Sequence, residues 1–456
     1  MLGWLILGAS IISLEIMNYI YYKKTVDYVE QKTLVKRAST PTVFLHNYWL
    51  NELSNEEIIE WITNTIHFKD KSQGLGQKPR IEEISANKIL KWISYHMYFK
   101  PYKTLTENQI NDAKIMMFAI ENKLNHTFQE TVDNIDDSNL YFLKFGNTEI
   151  ETAYKPMVVY CAMSTVKNLA YMYLKYLGFT KYTMEKTGIV YFYYKNPKNK
   201  EKTTMFIHGL GFGVTPYISF IKNLMDRTDV ILPILPNISN MEFHSILDGW
   251  KDKTMFPDYE DLRADFQSVF IDYDLYDVNL VGHSFGTIIM SILLRNDQIQ
   301  KRIGTKIFVD PVCFMEDCYK IFNYIKKPDT RNGDLTTTIF NSMIYEDVYV
   351  RYTTQRYLYG PDYWLLDYDS LLKNSIVVLS GDDKIVPSSK LHKKLAENNV
   401  ACIYVNNARH ADIFSMDEFS AVINAIIDHI HFSPFTNNDN QLITNKSTKK
   451  VKFEVC

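Results

Sequence analysis

Cysteine is scarce in this chain of 456 residues: it has five, an odd number, at Cys161, Cys313, Cys318, Cys402 and Cys456. None lies at metal-ligand spacing, so neither a disulfide framework nor a zinc site is expected, and reduced thiols in a cytosol-facing protein are the simpler reading. An excess of charge is missing too. With 50 Lys and Arg against 53 Asp and Glu the formal charge is −3, which gives no reason to expect nucleic acid or another polyanion as a partner. The glycine-rich turn His208–Gly213 lacks both the dinucleotide fingerprint and the Walker lysine, which weakens phosphate binding. No basic residue precedes the apolar run at the N-terminus and no convincing small-residue cleavage site follows it, so a cleaved signal peptide is not expected.

What is plentiful is aromatic. The 32 Tyr and 26 Phe could serve a lipid-facing surface, or reflect a general bias toward Tyr, Asn, Lys and Ile. Leu2–Tyr22 is almost wholly apolar, close to the ~20 residues needed to span a bilayer. Trp4 stands near one end, Tyr19, Tyr21 and Tyr22 near the other, and Lys23 and Lys24 follow directly. Residues 1–24 are therefore expected to form a single-pass membrane anchor, with Lys32, Lys36 and Arg37 keeping the following domains cytoplasmic. Glu15, costly in lipid, favours the competing reading of a buried or interfacial helix.

The length exceeds what one core holds, so two domains or one with a large extension are expected. Residues 25–188 read as a helical N-terminal domain. Apolar residues recur at helical spacing over Asn55–Phe68, Ile84–Lys100, Thr106–Asn125 and Lys155–Phe179. Thr106 and Gln109 form a capping box, and Asp70–Arg80 reads as a loop. Trp61, Trp92, Tyr95, Met97 and Tyr98 suit a core, or a lipid-binding face. After Gly188 the pattern changes to short β-rich runs, Ile189–Tyr194, Thr203–Ile207, Asp229–Leu235, Val278–Val281, Lys306–Val309, Ile376–Leu379 and Ala401–Val405, separated by helices. That alternation predicts an α/β fold, a mostly parallel sheet with helices on both faces, preceded by an all-helical region. Asp258–Tyr273, Ser388–Asn398 and Asp417–His431 are among its helices, and residues 434–456 read as a disordered tail.

The chemistry centres on Gly282-His283-Ser284-Phe285-Gly286, placed where an apolar strand runs straight into an apolar helix. A serine squeezed into that turn is strained and held above the sheet, and Gly282 and Gly286 are needed where a side chain would strike neighbouring backbone. Ser284 is the candidate nucleophile, and the Phe285 amide at the helix N-terminus is a candidate oxyanion donor. The turn His208-Gly209-Leu210-Gly211 ends another strand and offers the Leu210 amide as the second donor, with His208 bracing the turn. Asp383, at the crest of the loop after the strand Ile376–Leu379, is the candidate acid, preferred to Asp382 and to Asp310. His410 lies in the loop after the last strand, so the order Ser284, Asp383, His410 suits an elbow site in this architecture.

On these motifs the chain from Ile189 to His431 resembles the α/β-hydrolase superfamily, in its serine hydrolase, esterase- or lipase-like branch. The runs His208–Tyr217, Ile231–Met241 and His410–Phe414 also resemble a poorly characterised group of membrane-associated hydrolases with a helical N-terminal extension. The resemblance implies a hydrolase domain over 189–433 with a lid insertion at 311–372, rich in Tyr and carrying Trp364. It implies an ester-cleaving triad of Ser284, Asp383 and His410 acting on a small-molecule ester or lipid, with no cofactor and no metal. A serine at the elbow speaks against the epoxide hydrolase and dehalogenase branches. A non-catalytic lipid-binding or scaffold relative, and an acyltransferase, are the alternatives.

Overall fold

Short runs of Val, Ile, Leu and Phe build one nine-stranded sheet in the computed structural model. The structure describes residues 2–31, 51, 53–70, 74–75, 77–98, 100–130, 140–142, 150, 152–198, 202–239, 255–314, 343–358, 360–365, 371–415 and 453–455. Contacts divide the chain into two units, one of Met1–Val29, Glu151–Thr353 and Tyr363–Cys456, the other of Glu30–Ile150 and Thr354–Asp362. The segment 25–188, read from periodicity as one helical domain, is thus shared between them.

In the larger unit the strands are β1 (Thr180–Thr183), β2 (Val190–Tyr194), β3 (Thr203–Ile207), β4 (Asp229–Ile234), β5 (Val278–His283), β6 (Ile303–Val309), β7 (Ser375–Ser380), β8 (Ala401–Val405) and β9 (Phe453–Val455). Their order across the sheet is β9-β8-β7-β6-β5-β3-β4-β2-β1. From β8 to β4 all neighbours are parallel, and β9, β2 and β1 join antiparallel at the margins. Every residue of β3, β5 and β7 is buried, as strands covered on both faces require. The sequence pattern misses β1, whose residues are all exposed and carry no apolar alternation. It also misses β9, which lies within the expected disordered tail. The expected helix Asp417–His431 and most of that tail lie outside the described residues.

The register positions the site. Ile207 pairs with Gly282, Gly282 with Phe308 and His283 with Val309, while Val309 pairs with Val378 and Ser380 with Val405. The C-terminal ends of β3, β5, β6, β7 and β8 therefore stop at one sheet edge, where the following loops converge, the usual place for a site in a parallel sheet.

The smaller unit holds helices Asn55–Thr65, Ala86–Met97 and Glu107–Leu124 and a three-stranded antiparallel sheet formed by 66–70, 74–75 and 140–142. The first helix stops at Thr65 because the chain becomes a strand, with Ile66 opposite Phe142. The expected capping box is present: Gln109 N–H donates to Thr106 Oγ1 at 3.4 Å and Thr106 N–H to Gln109 Oε1 at 3.1 Å. Trp61, Trp92 and Met97 are buried, and the Trp92 indole donates to Thr65 Oγ1 at 2.7 Å, so these side chains serve packing and not a lipid-facing surface.

The N-terminal segment corrects an expectation. Leu2–Gln31 is one helix, but no helix among the described residues is long and apolar enough to cross a membrane. The single-pass anchor at 1–24, and the cytoplasm-facing orientation derived from it, are therefore withdrawn. Glu15 shows the physical reason. Its carboxylate accepts the Met157 amide at 3.0 Å and the Tyr154 hydroxyl, at the start of the helix Met157–Tyr176, where Pro156 supplies no side-chain cap. The acid that a bilayer would penalise is placed at a helix N-terminus that favours it. Asn18 donates to the Lys155 carbonyl at 3.3 Å, and Tyr22 to that of Thr152 at 3.1 Å. Asn18, Tyr22, Thr25 and Val29 form the buried stripe, while Ile12, Ile16, Met17 and Ile20 are exposed.

Candidate active site

Ser284 sits between β5 and the helix Phe285–Leu294 at φ 49° and ψ −118°, a backbone conformation that L-residues rarely adopt. Surrounding bonds hold it there: the Ser284 amide donates to Val309 O at 2.9 Å, and Thr287 Oγ1 donates to Ser284 O at 2.6 Å. The two glycines are required by close approach. A Cβ on Gly286 would strike the carbonyl oxygen of Ile207 and lie 2.9 Å from that of His208, whereas one on Gly282 would chiefly meet the flexible end of Met290. Gly286→Ala is expected to cost about 3 kcal/mol or more in urea denaturation, and Gly282→Ala clearly less, because a side chain yields where a sheet backbone does not. Equal costs for the two would refute this account of the turn.

The structure brings the three expected side chains together. Ser284 Oγ lies 2.8 Å from His410 Nε2, and His410 Nδ1 lies 2.6 Å from Asp383 Oδ2. With Asp383 accepting from Nδ1–H, the other nitrogen is left to accept the serine proton. The Asp383 side chain is wholly shielded and that of His410 is 18% exposed. The second oxygen of Asp383 accepts the amides of Ile385 at 2.7 Å and Val386 at 3.0 Å, which fixes the carboxylate. Asp382, by contrast, is exposed. Burial pushes the His410 imidazole down, but the charge and hydrogen bond of Asp383, joined by the charges of Asp310 and Asp412, outweigh it and raise the group to about 9.

Facing the elbow, the turn after β3 is fixed by its neighbours. His208 is fully buried; its Nδ1–H donates to Gly209 O at 2.7 Å and its Nε2 accepts the Leu235 amide at 3.0 Å, so it braces the turn. Burial pushes it down to about 4 despite the Gly209 carbonyl, which keeps it neutral. The Gly209 amide donates to Tyr217 Oη at 3.2 Å, and the Gly211 amide to Ile238 O at 2.8 Å. The amides on either side of Leu210 are thus engaged. Phe285 opens its helix, so its amide has no acceptor within that helix.

Two side chains here escaped sequence reasoning. Tyr217 Oη also lies 2.7 Å from His283 Nδ1, so one hydroxyl ties the glycine turn to the elbow. No sequence signal marks that pair, which is 66 residues apart. Of the expected lid, residues 315–342, 359 and 366–370 lie outside the described residues. Among its described aromatics, Tyr349, Tyr352, Tyr357, Tyr363 and Trp364 are buried and Tyr345 is half-buried. A shallow depression adjoins the glycine turn, lined by Met163, Val166, Lys167, Phe212, Thr215 and Ser239 among others.

Residues 205–422 match the model of the alpha/beta hydrolase family. A comparison with curated protein sequences finds no match. Among solved structures the chain is similar to a membrane phospholipase A described as a bacterial virulence factor, at 13% identity and a TM-score of 0.43, over 60% of this chain and 94% of that one. It is similar also to a hydrolase from Oleispira antarctica, at 19% identity and a TM-score of 0.38 over 55% and 99% of the two chains. A third is the naproxen esterase of Bacillus subtilis, at 14% identity and a TM-score of 0.40 over 59% and 98%. With the family match covering the sheet from β3 to β8 and the elbow between β5 and its helix, this part of the chain has the α/β-hydrolase fold.

Proposed function

We propose that the protein is a serine hydrolase of carboxylic esters in which Ser284 is the nucleophile, His410 the proton carrier and Asp383 the carboxylate that orients it. The observation that carries this reading is the unbroken hydrogen-bond path from Ser284 Oγ through both nitrogens of His410 to Asp383. As Oγ attacks the ester carbonyl, its proton passes to Nε2, and the imidazolium so formed is stabilised by Asp383. The amides of Phe285 and Leu210 receive the oxyanion. His410 then gives the proton to the departing alkoxide, leaving an acyl-enzyme. Water, deprotonated by His410, attacks the acyl carbon, and the acid leaves as Ser284 regains its proton.

The neutral imidazole is the base, so kcat/KM rises with pH through the pKa of His410. Because that pKa is raised, the acid limb is expected above 6.5, the ordinary imidazole value. A limb at or below 6.5 would contradict the charge balance described for His410. The reading itself is tested by covalent capture with a fluorophosphonate, mapped by peptide mass spectrometry, together with turnover of nitrophenyl esters of increasing chain length. Labelling is expected at Ser284 alone. Folded protein that neither labels nor turns over any ester, with and without detergent, would leave the non-catalytic reading in its place.

A further inference from the structure

Asp310 is the fully buried carboxylate at the end of β6, and the proposed reaction assigns it no task. Its two oxygens nevertheless reach both loops that carry the reacting pair. Oδ1 accepts the Ser380 amide at 2.8 Å, and Oδ2 accepts the Ser380 hydroxyl and the Ala411 amide, each at 3.0 Å. Ser380 ends β7, three residues before Asp383, and Ala411 follows His410 directly. Ala411 has φ 70° and Asp310 itself φ 44°, so the contact is made between two residues in the left-handed region. Single ligand-type atoms of Asp310, Asp383 and His410 lie within 4.8 Å of one another.

The surroundings fix which groups act on it. His283 Nε2 lies 3.9 Å from Asp310 Oδ2. The ring is wholly buried and held well below the ordinary imidazole range, first by burial and then by His410 and His208, so His283 is neutral and brings no compensating charge. Burial pushes Asp310 up to about 6, with His410 and the amides of Ala411 and Ser380 opposing that push and Asp383 adding to it. The Ser380 and Ala411 amides and the Ser380 hydroxyl all donate to it, the partner set of an ionised carboxylate. Among the described residues, the charged or titratable groups that act on or adjoin His410 are Asp383, Asp310, Asp412 and His283, and Tyr217 senses Asp310.

We propose that Asp310 is a positioning residue: its oxygens hold the Asp383 and His410 loops in register, and its negative charge stabilises the imidazolium formed when Ser284 gives up its proton. The proposal rests on the reading of Ser284 and His410 as the reacting pair. A purely structural tie and a charged one differ in what they do to the imidazole. In Asp310→Asn, one acceptor oxygen remains for Ser380, but the amide nitrogen cannot accept from Ala411, and the charge is gone.

The test is an NMR titration of the His410 ring in the full-length protein labelled in histidine, with His410→Ala used for assignment, alongside kcat and KM against pH. Asp310→Asn is expected to lower the His410 pKa by about one unit. The acid limb should move down with it, and kcat should fall about tenfold with KM little changed. A folded Asp310→Asn in which the ring titrates where the wild type does would overturn the proposal. Should that variant not fold, Asp310→Glu, which keeps the charge while shifting the oxygens, is read in the same titration: the His410 pKa is expected to stay within about half a unit of wild type, and a fall as large as that expected of Asp310→Asn would equally overturn the proposal. The ring titration needs no turnover, so absent labelling of Ser284 would sink the enzyme reading without deciding the role of Asp310.

Discussion

Ser284→Ala and His410→Ala are each expected to lower kcat by on the order of 10⁶, with little change in KM, and the double variant to lose no more than either alone. The magnitude follows from the proposed mechanism. A serine hydroxyl is a poor nucleophile at neutral pH, and its reactivity depends on the base 2.8 Å away. Removing either partner abolishes the same step, so their effects do not add. Residual catalysis should come from oxyanion stabilisation and binding alone. Fluorophosphonate labelling should be absent in Ser284→Ala and slowed in His410→Ala to near the background rate. Independent, additive losses from the two substitutions would mean that serine and histidine do not act as a unit.

Asp383→Asn is expected to lower kcat by about 10⁴ while the protein remains folded, because the asparagine amide favours the wrong imidazole tautomer. Asp383 accepts from His410 Nδ1–H with one oxygen and from two backbone amides with the other. The isosteric amide can keep one of these roles at the cost of the other. Far-ultraviolet circular dichroism and urea midpoints separate the loss of activity from a loss of fold. A larger loss in Asp310→Asn than in Asp383→Asn would move the orienting acid from the loop after β7 to the end of β6.

Much of the architecture is legible in the chain because its signals are local. All seven expected β runs after Gly188 are strands, since period, β-branching and bounding turns act over a few residues. The strain at Ser284 and the crowding at Gly286 follow from a strand meeting a helix without a connecting loop, which five consecutive residues reveal. Where the local signal was weak or misleading, the outcome differed. The exposed edge strand β1 has no apolar pattern, and the apolar Leu2–Tyr22 run suggested a bilayer although Glu15 lay in its middle.

The sequence by itself determined the parallel-sheet class, the elbow and the chain order of Ser284, Asp383 and His410, because turn chemistry and residue spacing are properties of neighbouring residues. Tertiary structure alone decided where several shielded polar groups find their partners. Glu15 meets the amide of Met157 142 residues away, Tyr217 meets His283 66 residues away, and Asp310 meets Ala411 101 residues away. A buried carboxylate or hydroxyl must be hydrogen-bonded, but its residue type does not say to what. That choice belongs to the sheet order and register, which bring loops distant in sequence to one edge.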